Sequence, residues 1–264
     1  MLFLLLPAVA HADEAATTTC EVSSWAGPAD GDVDVPIDAR LLVWSGFHCY
    51  PYPVELRDAD GETVGVAFEG LGEDLYGVRP AEVLAADADY VAQIVDDWSG
   101  EPIEAVAFHT GLTTAAPLSG PPVPTVVSLE VVHQGLWGAS SGDMDSSWRL
   151  DVAVDASAPL SVLRVLAEDG TPLRAIPGPF SEVETVHVAT TGPSQPQGTE
   201  QCLTIVQENA AGEALNAGET CAVPTAESWR PKPTSGCNVA PGGVSGLAAI
   251  GLLALVRRRR DGAC

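Results

Sequence analysis

The sequence predicts an all-β protein of two tandem antiparallel sandwiches followed by a short C-terminal apolar helix. Three observations lead to this fold class. Short apolar runs rich in β-branched residues recur about every 8 to 15 residues through the body of the chain. Gly, Pro and Asp-Gly pairs separate the runs, and almost no stretch shows the 3.6-residue period of a helix. A Pro-rich segment near the middle divides the runs into two series.

The composition is that of a folded protein that does not bind nucleic acid. The chain has 264 residues, and its hydrophobic fraction of 46% is too high for a disordered chain. Its 36 Asp and Glu outnumber 12 Lys and Arg and give a formal net charge of -24 at pH 7. Because phosphate backbones attract clustered Lys and Arg, this charge excludes nucleic-acid binding by bulk electrostatics.

Residues 1–12 have the pattern of a signal peptide. An apolar run ends in Ala10-His11-Ala12, the small-x-small sequence that signal peptidase cuts. No Lys or Arg precedes the run, which departs from the usual pattern. A buried first strand or helix is the alternative, and the abrupt change to Asp13-Glu14 disfavours it. We therefore expect export, with the mature chain beginning near Asp13.

The first series of apolar runs predicts the strands of a domain over residues 20–116. The segment Asp58-Ala59-Asp60-Gly61-Glu62 lies between two runs and has the composition of a hairpin turn. The runs themselves cover residues 40–44, 54–57, 63–68, 90–95 and 106–109.

This first module resembles a bacterial Ig-like (SbsA-like) domain of the kind found in repeated surface proteins. The resemblance is carried by Pro28-Ala29-Asp30-Gly31, residues 35–43, Pro80 with Leu84 and Tyr90, and Phe108-His109-Thr110-Gly111. It implies an Ig-like sandwich. It also implies that Tyr90 forms a tyrosine corner, in which the hydroxyl bonds to the backbone upstream of the penultimate strand.

A Pro-rich linker at residues 117–124 separates this module from a second one over residues 125–226. Four Pro in these eight residues cannot continue the interior of a sheet. Strand spacing alone makes the second module similar to Ig or fibronectin type III domains, and Glu168-Asp169-Gly170-Thr171 repeats the hairpin turn. A second linker at residues 227–236 follows. The apolar runs of the second module cover residues 126–132, 148–154, 161–167, 183–189 and 202–207.

The cysteines follow from the expected export. An oxidising compartment pairs cysteines, and four of them allow three connectivities. Cys202 and Cys221 lie in the second module and Cys20 and Cys49 in the first, so module membership selects these two disulfides. Cys237 is left for the tail. No Cys-x-x-Cys pair exists in the sequence, which disfavours a metal site.

The tail, residues 237–260, combines features of a sorting signal and a transmembrane segment. After Cys237, residues 239–256 are apolar apart from Ser245 and would span about 27 Å as a helix, close to the hydrocarbon core of ~30 Å. The residues that follow predict a stop-transfer signal that stays cytoplasmic. They are Arg257, Arg258, Arg259 and Arg260.

This order of Cys, Pro and Gly, apolar helix and Arg cluster resembles the MYXO-CTERM sorting signal of myxobacterial and related surface proteins. Pro241-Gly242-Gly243 and residues 246–256 complete the pattern, whereas Asp261-Gly262-Ala263-Cys264 departs from its usual ending. The resemblance implies recognition by a dedicated membrane protease near Cys237. An ordinary C-terminal transmembrane anchor is the alternative, and both place the body outside the inner membrane.

The sequence predicts no catalytic, cofactor or metal site. Its five His residues are scattered, and it contains no motif of a serine hydrolase, a zinc protease or a P-loop enzyme. The acidic clusters at residues 30–34 and 58–62 have the oxygen density that Ca²⁺ favours. Neither fits an EF-hand loop, and solvated turns are the alternative reading.

These features predict a non-catalytic, exported cell-surface or outer-membrane protein with a structural or adhesive role. Its expected partners are the C-terminal sorting protease, the inner membrane, and a surface glycan or protein ligand. The alternative is an accessory protein that binds carbohydrate or peptide. Trp44, Phe47, Tyr50 and Tyr52 lie close together in the sequence and form either an exposed platform for sugars or part of the core.

Overall fold

The computed structural model describes residues 23–45, 52–72, 74–135 and 142–231, with the side chains of residues 216 and 217 left aside. Strands joined by turns make up these ranges, and no helix occurs within them. They belong to one compact unit of the chain that ends at Lys232. The structure therefore confirms the all-β class.

Nine strands form the first sandwich in two sheets. One sheet has the order β1-β3-β7-β6 and the other β2-β9-β8-β4-β5. In the lettering of Ig domains these orders are A-B-E-D and A′-G-F-C-C′, so the strand order is that of an Ig sandwich. The strands are β1 Ser24–Gly27, β2 Asp32–Val35, β3 Leu41–Trp44, β4 Val54–Asp58, β5 Thr63–Val64, β6 Val66–Gly70, β7 Leu75–Pro80, β8 Asp89–Val95 and β9 Pro102–Thr110.

Strand β3 shows why the sequence LLVW has no polar residue. Successive side chains of a strand point to opposite faces of the sheet. Leu41 and Val43 enter the core between the two sheets of the first sandwich. Leu42, between them, points to the other face and enters a separate apolar cluster shared with the second sandwich. Burial on both faces gives a continuous apolar run instead of an alternating one.

Tyr90 forms the tyrosine corner that the Ig-like resemblance implies. It lies at the start of β8, where its hydroxyl accepts a hydrogen bond of 2.8 Å from the backbone N–H of Ala85, five residues upstream. Its ring stacks on Phe108 of the neighbouring β9, with 5.7 Å between ring centroids. The corner therefore joins the loop before β8 to the core.

Eight strands form the second sandwich. One sheet has the order β14-β11-β10-β17 and the other β13-β12-β15-β16. Without β17, these correspond to the A-B-E and C′-C-F-G sheets of a fibronectin-like sandwich. The strands are β10 Val123–Gln134, β11 Asp143–Ala153, β12 Val162–Ala167, β13 Pro172–Pro177, β14 Val183–Pro193, β15 Gln201–Glu208, β16 Ala214–Ala222 and β17 Ala226–Arg230.

The core of the second sandwich is built by alternation. Trp148, Leu150 and Val152 of β11 face inward and are almost fully buried, while the residues between them face outward. They pack against Leu163 and Ile205 of the opposite sheet. The two predicted hairpin turns are also present, because Gly61 and Gly170 take positive φ values of 81° and 83° between paired strands.

Strand β17 follows β16 and covers the start of the segment 227–236, which was predicted to be a linker. It pairs in parallel with β10, with Ala226 opposite Glu130 and Arg230 opposite Gln134. Thr225 fixes its beginning, because both the N–H and the hydroxyl of Thr225 donate to the carbonyl oxygen of Leu129. The strand thereby covers an edge of the sheet that would otherwise be open.

Candidate functional site

The most distinctive constellation of charged residues lies at the junction between the two sandwiches. Arg40, just before β3, is fully buried, and its guanidinium lies 2.5 Å from the carboxylate of Glu208 at the end of β15. The two groups form an ion pair, but the angles at the contact are not those of a hydrogen bond. Glu69 approaches the same guanidinium at 3.9 Å from the partly exposed side. A buried cation of the first sandwich is thus matched by a buried anion of the second.

Glu208 also has a second positive partner. The other oxygen of its carboxylate accepts a hydrogen bond of 2.6 Å from Nη1 of Arg164 on β12. Arg164 in turn donates from Nε to the carbonyl oxygen of Leu71, in the first sandwich, at 3.0 Å. This chain of contacts crosses the junction twice, because Arg40 and Leu71 belong to the first sandwich and Glu208 and Arg164 to the second.

The turn between β15 and β16 inserts its backbone into the same junction. The carbonyl oxygen of Ala210 accepts from the N–H of Arg40 at 2.9 Å, and that of Ala211 accepts from Nη1 of Arg79 at 2.8 Å. Asn209, buried in this turn, donates to the carbonyl oxygen of Ala116 in the segment between the sandwiches. The turn therefore holds both the first sandwich and the connecting segment.

Apolar packing accompanies the polar contacts. Leu42, Leu71 and Leu75 of the first sandwich form one buried cluster with Val162 and Ala175 of the second. The backbones approach so closely that a Cβ on Gly72 would lie 2.7 Å from the backbone nitrogen of Ala175. Each Å² of apolar surface that the junction removes from water stabilises it by about 25 cal/mol.

The connecting segment is tied down on its second-sandwich side as well. The backbone N–H of Ser119 donates to Asp155 at 2.7 Å, and Ser157 donates to the same carboxylate from both its hydroxyl and its N–H. The hydroxyl of Ser157 first, and then the contacts with Ser119, hold the pKa of Asp155 well below its ordinary value of 3.8. The predicted linker therefore runs against the second sandwich.

The cysteine pair of the second module forms the predicted disulfide. Cys202 of β15 and Cys221 of β16 lie directly opposite each other and are joined through their sulfur atoms. Glu200 lies close to these two sulfur atoms, but thiols consumed in a disulfide are not available as thiolate ligands for a metal. The disulfide ties together the two strands whose connecting turn enters the junction.

Several predicted site residues lie outside the described residues. These are the signal peptide at residues 1–12, Cys20, Phe47, Cys49, Tyr50 and the tail with Cys237, Arg257, Arg258, Arg259 and Arg260. In the part of the chain that the structure describes, no helix has the length and hydropathy needed to cross a membrane.

The two acidic clusters use their carboxylates to hold turns. Asp30 accepts from the N–H of Ala107, and Asp32 accepts from the N–H of Ala29. In the second cluster one oxygen of Asp58 accepts from the backbone N–H groups of Asp60 and Glu62. The contacts of Asp32 and Asp58 are the typical chemistry of Asp in turns, whereas the contact of Asp30 joins its loop to β9.

The aromatic residues considered for sugar binding pack inward where the structure describes them. Tyr52 is half-buried against the core of the first sandwich, and its backbone N–H donates to Ser23. Trp44 packs against the apolar cluster of the junction. Both residues are partly buried.

A Ser–His–Glu grouping that sequence reasoning missed lies inside the second sandwich. Nδ1 of His133 is 2.9 Å from the hydroxyl of Ser194, and Nε2 is 3.6 Å from Glu227 of β17. The imidazole also stacks on Trp229 of β17, with 4.4 Å between ring centroids. His133 and Ser194 are both buried, so the grouping fastens β17 and does not present a nucleophile to solvent.

The comparisons with known proteins give similarities of fold at low identity. No protein-family model and no curated protein matches the chain. Among solved structures, L,D-transpeptidase 3 from Mycobacterium tuberculosis is 14% identical over 56% of this chain and 46% of its own, with a TM-score of 0.24. The FN1–FN3 domains of chicken CNTN1 are 13% identical over 80% of this chain and 66% of their own, with a TM-score of 0.21.

The BSP domain of a biofilm-associated protein is 12% identical over 78% of this chain and 30% of its own, with a TM-score of 0.26. The chain thus spans less than two thirds of the length of each of these three proteins. The assignment of the two sandwiches rests on the strand orders described above.

Proposed function

We propose that this chain is a non-catalytic, exported surface protein whose two sandwiches act as one stiff structural unit, tethered through a C-terminal sorting signal. The observation that carries the proposal is the junction. A buried ion pair between Arg40 and Glu208, an apolar cluster and several backbone hydrogen bonds join the two sandwiches. Such a junction resists bending, and resistance to bending is what a stalk or a matrix component requires.

The disulfide and the ends of the chain support export. Cys202 and Cys221 are joined, and structural disulfides persist mainly in oxidising compartments outside the cytosol. The signal peptide expected at residues 1–12 provides entry to such a compartment. The tail, with its resemblance to a MYXO-CTERM sorting signal, provides the route to the cell surface and requires a sorting protease of the inner membrane as a partner.

Variants of the tail test this proposal in cells that make the full chain. Each Arg at the middle of a membrane costs about 2.5 to 3.5 kcal/mol on insertion scales, so the four Arg oppose passage of the tail. Replacing Arg257, Arg258, Arg259 and Arg260 by Ser is expected to release protein into the medium. Replacing Arg230, an exposed residue of β17, by Ser is the matched control and is expected to leave the location unchanged.

A second variant separates the sorting signal from a plain anchor. Cys237 lies outside the apolar segment, so Cys237→Ala is expected to leave insertion intact and block later processing. The expected product is a full-length precursor held in the membrane, detected by mass spectrometry of the membrane fraction. A Cys237→Ala protein that reaches the surface with the mass of the wild-type protein contradicts the sorting signal.

A further inference from the structure

In the part of the chain that the structure describes, the second sandwich is open along part of one side. Strands β13 and β14 are edges of opposite sheets and are joined at one end by residues 178–182, where Phe180 fills the core. At the other end, the last residues of β14 and the hairpin between β12 and β13 enclose a cleft of about 390 Å³. No strand of the described chain closes this end.

The cleft has an apolar floor and a polar mouth. Met144, Leu173 and Leu203 contribute to the floor, where Trp148 is only 1% exposed. A buried indole offers no face on which a sugar ring can stack, whereas the aliphatic floor suits an aliphatic side chain. Thr190 and Gln195 line the mouth.

Backbone groups beside the cleft are also available. β14 is an edge strand and pairs in the described chain only with β11. In an antiparallel pair, alternate residues direct their N–H and C=O groups away from the partner strand. The end of β14, which borders the cleft, therefore presents main-chain donors and acceptors of the kind that an added strand uses.

The charged residues that line the cleft are acidic. Glu168 and Asp169 lie exposed at the mouth, and Asp145 lies beside Thr191 on the outer face, 3.0 Å from its hydroxyl. None of the described residues that line the cleft is basic. A second copy of the chain, with a formal net charge of -24, is repelled from this surface.

We propose that the cleft and the free edge of β14 bind an extended, basic segment of a partner protein. The segment adds as a strand to β14, places alternate apolar side chains in the cleft and directs the Lys or Arg residues between them toward the acidic groups outside. This inference names a partner for the surface protein of the proposed function and rests on that proposal. The binding test uses purified protein, so a negative result leaves export and tethering untouched.

The test measures fluorescence anisotropy of a labelled peptide with the sequence Lys-Val-Lys-Leu-Lys-Val-Lys on the exported, disulfide-bonded protein at 150 mM NaCl. Gln195 and Gln197 are exposed in the same loop, but only Gln195 lines the cleft. Q195R places a cation in the mouth and is expected to weaken binding at least tenfold. Q197R adds the same charge outside the cleft and is expected to change the affinity less than twofold.

Two further peptides separate strand addition from general attraction between charges. A peptide with Glu in place of Lys is expected not to bind. A peptide N-methylated at alternate amides keeps its charge but cannot pair as a strand, and it is expected to bind at least tenfold more weakly. Equal affinities for Q195R and Q197R, or undiminished binding of the methylated peptide, overturn the proposal. Self-association of the wild-type protein that Q195R abolishes also overturns it, because the occupant is then a second copy.

Discussion

Glu208 is the residue on which most of the junction depends. Its carboxylate lies 2.5 Å from Nη2 of Arg40 and 2.6 Å from Nη1 of Arg164, and its side chain is 7% exposed. A buried charge that loses its partner is costly, since water cannot replace the lost contact. The ion pair therefore specifies one arrangement of the two sandwiches more than it adds to their total stability.

Replacing Glu208 by Gln tests this role. We expect Glu208→Gln to lower the free energy of unfolding by about 3 kcal/mol or more, because Arg40 is left buried without its anion. Glu69→Gln is the matched control, since its side chain is 41% exposed, and we expect a loss of about 1 kcal/mol or less. Urea denaturation at pH 7 measures both. Equal losses in the two variants would show that burial of the pair is unimportant.

His109 gives a second prediction at this scale. Its Nδ1 lies 2.8 Å from Asp89 and its Nε2 lies 3.1 Å from Asp87, and the contact with Asp89, then that with Asp87, raises the pKa of His109 above 6.5. The stabilisation is fully present below the ordinary pKa and disappears as the pH rises through the raised value.

We therefore expect His109→Gln to be less stable than the wild-type protein at pH 5.5 and close to it at pH 9. Urea denaturation at both values measures the difference. A gap between the two proteins that stays constant with pH would contradict the ion pairs at His109.

Among the elements, the turns that meet at the junction depend on close approach of their backbones. Gly72, in the turn between β6 and β7, leaves no room for a side chain, because its Cβ would lie 2.7 Å from a backbone nitrogen of the second sandwich. A backbone atom cannot move aside as the end of a flexible side chain can. One added methyl group here must separate the two sandwiches locally.

We expect Gly72→Ala to destabilise the protein by about 1 to 3 kcal/mol, the usual range for overpacking. Gly70→Ala is the matched control, since a Cβ on Gly70 meets no atom within 4 Å. Thermal unfolding followed by circular dichroism measures both variants. A Gly72→Ala protein as stable as Gly70→Ala would show that the sandwiches are not in contact at this point.

Most strands that the sequence predicts have a buried apolar face, but β7, which buries Leu75 and Val78, is not among the predicted runs. The alternation in β8 and β11, the hairpin turns at Gly61 and Gly170, and the bond of Tyr90 are local features, so the sequence alone carries them. Strands β13, β16 and β17 lie at sheet edges and mix polar with apolar residues, so a search for apolar runs does not detect them.

The junction could not be predicted for a different reason. Arg40 precedes an apolar strand and Glu208 ends another, and each position is ordinary for a charged residue at a strand end. Their pairing depends on how the two sandwiches dock, and no local sequence pattern indicates this arrangement. The Pro-rich segment predicted a spacer, but the contacts of Ala116 and Ser119 hold this stretch against the second sandwich.

At the scale of the whole molecule, we expect the two sandwiches to unfold as one cooperative unit. Its described residues form a single compact unit, and the apolar cluster of the junction takes residues from both sandwiches. Two domains on a flexible linker would instead unfold independently.

Differential scanning calorimetry of the disulfide-bonded protein tests this claim most directly. Cooperative unfolding of a single unit gives equal calorimetric and van't Hoff enthalpies. We expect one transition with a ratio of these enthalpies near one for the wild-type protein, and separation into two transitions for Glu208→Gln. Two independent transitions in the wild-type protein, each unaffected by Glu208→Gln, would contradict it.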